Sequence, residues 1–147
     1  MGNPEINGII TTPLKIFEHP KGNILHGMKI NDHGYVGFGE AYFSTVIKDE
    51  IKAWKKHRIM TLNLIVPVGS IKFVIYDQRQ ASPTFGIFNE YTISKENYYR
   101  LTIPSGVWFG FKGLGDTLNM ILNIASIPHD PSEVERLDLL DINYNWL

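Results

Sequence analysis

The stretch Met60-Thr-Leu-Asn-Leu-Ile-Val-Pro-Val-Gly-Ser-Ile-Lys-Phe-Val-Ile-Tyr-Asp77 holds two short apolar runs separated by Pro67-Val-Gly69. Runs of this length, rich in β-branched residues and broken by proline and glycine, predict two strands and a turn. In the second run Ile71, Phe73 and Ile75 share one face and Lys72, Val74 and Tyr76 the other, because successive strand side chains alternate. Asp77 continues the first, wholly apolar face. A carboxylate there needs a partner or a ligand.

The same pattern recurs on both sides of that stretch. Residues 24–30, 35–46, 84–93, 98–103, 107–111 and 118–125 read as further strands. Most are set apart by turn signals at Asn31-Asp-His-Gly34, Pro104-Ser-Gly106 and Gly113-Leu-Gly-Asp116. On the last strand Asn119 and Asn123 share a face with Ile121 and Ala125, a second place where polar groups enter an apolar face. A short helical piece is expected over 131–136, with Pro131 in its first turn and Asp130 as cap. So many short strands predict an all-β domain, a sandwich or barrel with jelly-roll topology among the options. No linker or repeat divides the chain.

A length of 147 residues, 44% of them hydrophobic, is enough to bury a core without cross-links, and the formal net charge of -1 exerts no general pull on nucleic acid or acidic membranes. With no cysteine there are neither disulfides nor thiolate metal sites, which fits a cytoplasmic protein. The start, Met1-Gly-Asn-Pro-Glu-Ile6, has no basic-then-apolar signal, and no stretch is apolar enough to span a bilayer.

Ile51-Lys-Ala-Trp-Lys-Lys-His-Arg58 is the chain's most basic run. If it is extended, Lys55 and His57 point to one face and Lys52 and Lys56 to the other. Burial or neighbouring cations lower a lysine's pKa from about 10.4, and histidine titrates near neutrality unaided, so either residue is a candidate base.

From residue 51 onward, about two thirds of the chain, five landmarks in order resemble the dTDP-4-dehydrorhamnose 3,5-epimerase family of cupin barrels. They are Ile51-Lys-Ala-Trp-Lys55, the turn at Val68-Gly69, Asp77-Gln-Arg79 with Ser82-Pro-Thr84, Pro104-Ser-Gly-Val-Trp-Phe-Gly-Phe111, and Pro131-Ser-Glu133 with the segment from Arg136 to Trp146. The resemblance implies a single cupin-type jelly-roll domain, with N-terminal strands and a dimer arm over 1–50 and the barrel over 51–147. It also implies a homodimer whose interior binds a dTDP-type nucleotide-diphosphate sugar. The implied activity is metal-independent epimerisation of a 4-keto-6-deoxyhexose by proton abstraction next to the ketone, in carbohydrate or polysaccharide biosynthesis. A sugar-nucleotide-binding cupin without turnover is the alternative.

Carried over position by position, the resemblance puts Lys55 where the family has its catalytic histidine and Asn123 where it has a tyrosine. Phe109 stands for another pocket histidine and Leu62 for a phosphate-side lysine. Lys55, His57 and Asn123 are therefore the catalytic candidates, and Lys52, Asp77, Arg79, Trp108, Phe109 and Lys112 the substrate-binding ones. Metal-dependent cupins use three histidines and a glutamate. This chain offers only His57 at the matching positions, so no metal and no organic cofactor are expected.

Overall fold

The computed structural model describes residues 3–147; Met1 and Gly2, the first residues of the start read for a targeting signal, lie outside the described residues. The described residues form twelve strands: β1 (Ile10–Pro13), β2 (Ile16–Phe17), β3 (Ile24–Leu25), β4 (Glu40–Thr45), β5 (Ile51–His57), β6 (Leu62–Val68), β7 (Ser70–Tyr76), β8 (Phe88–Ser94), β9 (Tyr99–Ile103), β10 (Trp108–Gly113), β11 (Met120–Ala125) and β12 (Val134–Arg136). One sheet has the order β1-β9-β6-β11-β4 and the other β12-β5-β10-β7-β8; β2 and β3 form a separate ribbon. All pairs of named strands are antiparallel. The all-β jelly-roll expected from the sequence is the fold observed.

The sheets face each other across a core. Leu62, Leu64, Val66, Leu101, Ile103 and Ile121 of the first meet Ile71, Phe73, Ile75, Ile93 and Phe109 of the second. The alternation in the opening stretch holds, since Ile71, Phe73, Ile75 and Asp77 are all fully buried. Central β6 is buried on both faces over its first five residues, whereas edge strand β4 is largely exposed. A second apolar layer lies on the outer face of the second sheet, where Trp54, Val74 and Trp108 are covered by Ile142 and Trp146 of the C-terminal segment. Trp54 Nε1 donates to Leu139 O at 3.2 Å and fixes that cover. The tryptophans are thus core residues, on the outer side of the barrel wall.

Several boundaries differ from expectation. Within residues 3–50, β1 and β4 form the two edges of the first sheet. Only Ile24–Leu25 and Glu40–Thr45 of the runs 24–30 and 35–46 are paired. Strand β6 continues through Pro67, beside an irregularity in its pairing with β11. Proline is tolerated there because such a site leaves a backbone donor position unused. Gly69 alone makes the turn at φ 84°, and a Cβ there would meet Asn119 Oδ1 and Leu118 O at 2.4 Å.

Asp130 does cap Pro131–Glu133, accepting from Ser132 N, but this is a single 3-10 turn followed by β12 and not a helix over 131–136. An isolated helix that short is marginal. The open edge of β5 offers regular pairing instead, with Val134 opposite His57 and Arg136 opposite Lys55.

Candidate active site

A bulge determines which side chains of β5 reach the barrel interior. Lys55 pairs with Phe109 of β10 and Ala53 with Gly110, leaving Trp54 as the extra residue. A bulge shifts the side-chain alternation by one residue. Lys52 and Lys55 therefore both enter the interior, while Trp54 turns outward and Lys56 lies over Trp108. Strict alternation had placed Lys52 on the other face from Lys55. Gly110 permits this arrangement, since a Cβ on it would lie 2.5 Å from Ala53 Cβ.

The interior holds a cavity of about 460 Å3, within the range of about 300–1,000 Å3 usual for small-molecule sites. Lys52, Lys55, Phe73, Phe109 and Phe111 of the second sheet line one wall, joined by Arg136, Leu137 and Asp138 at its β12 edge. Tyr42, Ser44, Leu62, Leu64, Ile121 and Asn123 of the first sheet line the other. The aromatic and aliphatic surface suits a sugar or nucleobase ring, and the cations suit an anionic group.

Lys55 is a cavity base whose surroundings disfavour its charged form. Burial, then the charges of Arg136 and Lys52, push its pKa below the ordinary lysine value of 10.5, with only partial opposition from Glu133. Lys52 Nζ donates to Thr45 O at 2.8 Å, reaching from the second sheet to the end of β4. On the other wall, Asn123 is fixed at both ends of its amide. Its Oδ1 accepts from Asn63 N at 3.2 Å and its Nδ2 donates to Tyr42 Oη at 3.0 Å.

His57 shares the inward face of Lys55, as alternation predicts, but it is not among the cavity's lining residues. Only 4% exposed, it stacks on Phe109 and pairs through Nδ1 with Glu133 Oε1 at 2.5 Å. Glu133 Oε2 accepts from Ile59 N and Met60 N. Burial pushes His57 below 6.5, outweighing the Glu133 carboxylate. The neutral ring then donates from Nδ1, and Nε2 is buried without a partner. The pair serves first to fasten the turn after β5 to the chain ahead of β12.

The remaining expected residues divide between cavity and scaffold. Lys52 and Phe109 line the cavity, whereas Asp77, Arg79, Trp108 and Lys112 lie outside its lining. Asp77 accepts from Arg79 N, Nε and Nη2, from Ser82 Oγ and from Thr84 Oγ1. Burial works against its charge, but these donors hold its carboxyl well below the usual range. Trp108 belongs to the outer apolar layer, and Lys112 Nζ donates to Trp146 O. Their placement reflects local closure of the loop after β7 and anchoring of the C-terminal segment.

Tyr42, Ser44, Arg136 and Asp138 line the cavity without having been singled out in the sequence. Tyr42 lies in a run read simply as strand, and Arg136 in a piece read as helix. The two-residue period of β4 was the available signal: Tyr42 and Ser44 face in, and Phe43, between them, is 63% exposed. The described residues contain no group of three or more histidine, aspartate or glutamate side chains placed to hold a metal ion.

Fold and site together define a cupin-type barrel with a largely apolar, cation-bearing small-molecule cavity. The sequence model for dTDP-4-dehydrorhamnose 3,5-epimerase matches residues 55–146. A solved dTDP sugar isomerase from Desulfovibrio desulfuricans G20 superposes with a TM-score of 0.92 and 38% identity, covering 96% of this chain and 92% of that one. The probable low-salt glycan biosynthesis epimerase Agl13 of Haloferax volcanii is 27% identical over 129 residues, 86% of this chain and 83% of the relative. Spore coat polysaccharide biosynthesis protein SpsL of Bacillus subtilis is 26% identical over 145 residues, 96% of each chain. The chain belongs to the dTDP-4-dehydrorhamnose 3,5-epimerase family.

Proposed function

We propose that the protein epimerises a nucleotide-diphosphate-linked 4-keto-6-deoxyhexose, with the dTDP sugar as the first candidate, and that Lys55 is the base. Family membership supports the reaction class. The observation that carries the assignment of the base is Lys55 itself, an interior lysine whose proton is made labile by burial and by Arg136 and Lys52. Its free amine takes the proton from a carbon next to the ketone, and the C–H electron pair passes into the enolate. Lys52 and Arg136 supply positive charge for the diphosphate or the enolate oxygen, and Phe109 and Phe111 give the sugar or base an apolar face.

The working protein is a cytoplasmic homodimer in this reading. Edge strand β4 carries exposed Phe43, and Val36 and Phe38 just before it are also exposed, an apolar strip suited to a second copy. Among the described residues no helix is long and apolar enough to cross a membrane. The test is incubation with dTDP-4-keto-6-deoxyglucose in D2O, followed by NMR. Deuterium at a carbon flanking the ketone, with conversion to an epimer, is the expected result. Tight binding without exchange would leave a binding protein instead.

A further inference from the structure

The inventory of proton-bearing groups around the cavity is lopsided. Lys52, Lys55, Arg136 and Asp138 all belong to the second sheet or the segment at its β12 edge. Among the described residues, the opposite wall offers only the hydroxyls of Tyr42 and Ser44 and the amide of Asn123. Inversion at a carbon requires that the proton removed on one face be replaced from the other, so a base on one wall calls for an acid on the facing wall. A serine hydroxyl is too weak an acid for this step, and an amide weaker still. A phenol, with a pKa near 10, is the competent group.

We propose that Tyr42 is the proton donor, acting from the first sheet against Lys55 on the second. This rests on the assignment of Lys55 as base. Tyr42 and Asn123 are register partners on β4 and β11. Because Asn123 Oδ1 is occupied by Asn63 N, its Nδ2 is turned to Tyr42 Oη and donates to it. That bond uses a lone pair of the phenol oxygen and leaves the phenolic proton available to the cavity.

The step balances without a co-reactant. Lys55 becomes an ammonium as the C–H pair enters the enolate. The enolate pair then forms a new C–H bond with the Tyr42 proton, and the O–H pair stays on the phenolate. Transfer of a proton from the ammonium to the phenolate through solvent restores both groups.

The test compares wild type, Tyr42→Phe and Lys55→Met with dTDP-4-keto-6-deoxyglucose in D2O. In Tyr42→Phe, deuterium still enters the carbon next to the ketone with retained configuration, because Lys55 can return a solvent-derived proton to the face it left. Epimer formation falls by about 10²-fold or more. Lys55→Met loses both signals. Epimer formation by Tyr42→Phe within about three-fold of wild type overturns the assignment, with Lys55 unaffected. Loss of exchange together with epimer formation in Tyr42→Phe, with an unchanged melting temperature, makes Tyr42 a binding residue and also overturns it. A wild type that neither exchanges nor epimerises removes the base and the donor together.

Discussion

Asp77 and Lys55 both sit on the inward side of the second sheet, and each is an ionisable group placed among apolar neighbours. The chain treats them in opposite ways. Asp77 is fully buried and surrounded by donors from residues two to seven positions further on, so its charge is strongly favoured. Lys55 borders a cavity with cations as its neighbours, and among the described residues no hydrogen bond offsets the loss of solvent. A satisfied buried charge stiffens a loop; an unsatisfied one at a cavity keeps its reactivity for a ligand.

The contrast is broken most sharply by exchanging function against stability. Lys55→Met is expected to lower epimer formation by about 10²–10⁴-fold while leaving the melting temperature unchanged or raised, since an electrostatically disfavoured ammonium is removed. Lys56→Met, one residue along on the outer face, should keep near-wild-type turnover. In the wild type, kcat/KM should rise with pH through a midpoint below the ordinary lysine value of 10.5. Equal losses in the two lysine variants would place the effect in the general charge of β5.

Asp77→Ala should do the reverse. It strands Arg79, Ser82 and Thr84, and a loss of about 3–5 kcal/mol is expected, a fall in Tm of about 10 °C for a chain of this size. Activity per folded molecule should persist below that transition. Activity lost with stability intact would mean that Asp77 acts on the ligand.

Gly110→Ala tests the bulge that brings Lys52 and Lys55 to the same cavity. The added methyl meets Ala53, and overpacking of about 1–3 kcal/mol is expected, seen by thermal melting together with a larger loss of turnover than the melting shift explains. Unchanged turnover would show that the bulge tolerates the methyl.

The smallest effect concerns pH. His57 is held below 6.5 in the folded chain, so the unfolded chain takes up a proton first as the pH falls. Stability contributed by the neutral ring is present above about 6.5 and declines below it, until the folded ring also protonates. Glu133, held below 4.5 by His57, Ile59 and Met60 despite its burial, adds a second decline in more acid solution. Melting curves between pH 7 and 5 should show the first step in the wild type and not in His57→Gln.

Much of this organisation follows from strand alternation. It put Asp77, Asn119 and Asn123 on apolar faces and Lys55 with His57 on one shared face, because a two-residue period within a short run leaves few other choices. The family landmarks likewise located the barrel and the cavity positions Lys55, Phe109 and Asn123. Other features depend on contacts between segments distant in the chain. The bulge at Trp54 reflects the fit of β5 to β10, and the strand character of residues 134–136 reflects an open edge on β5.

Sequence by itself therefore determined the all-β class, the apolar faces of the strands and the resemblance to the family. Only the tertiary structure decided that Asp77 is occupied by its own loop, that His57 is tied to Glu133, and that Tyr42 and Lys55 line one cavity from different sheets. The physical reason is that periodicity is a local property of the chain, whereas saturation of a polar group depends on which distant segments fold against it.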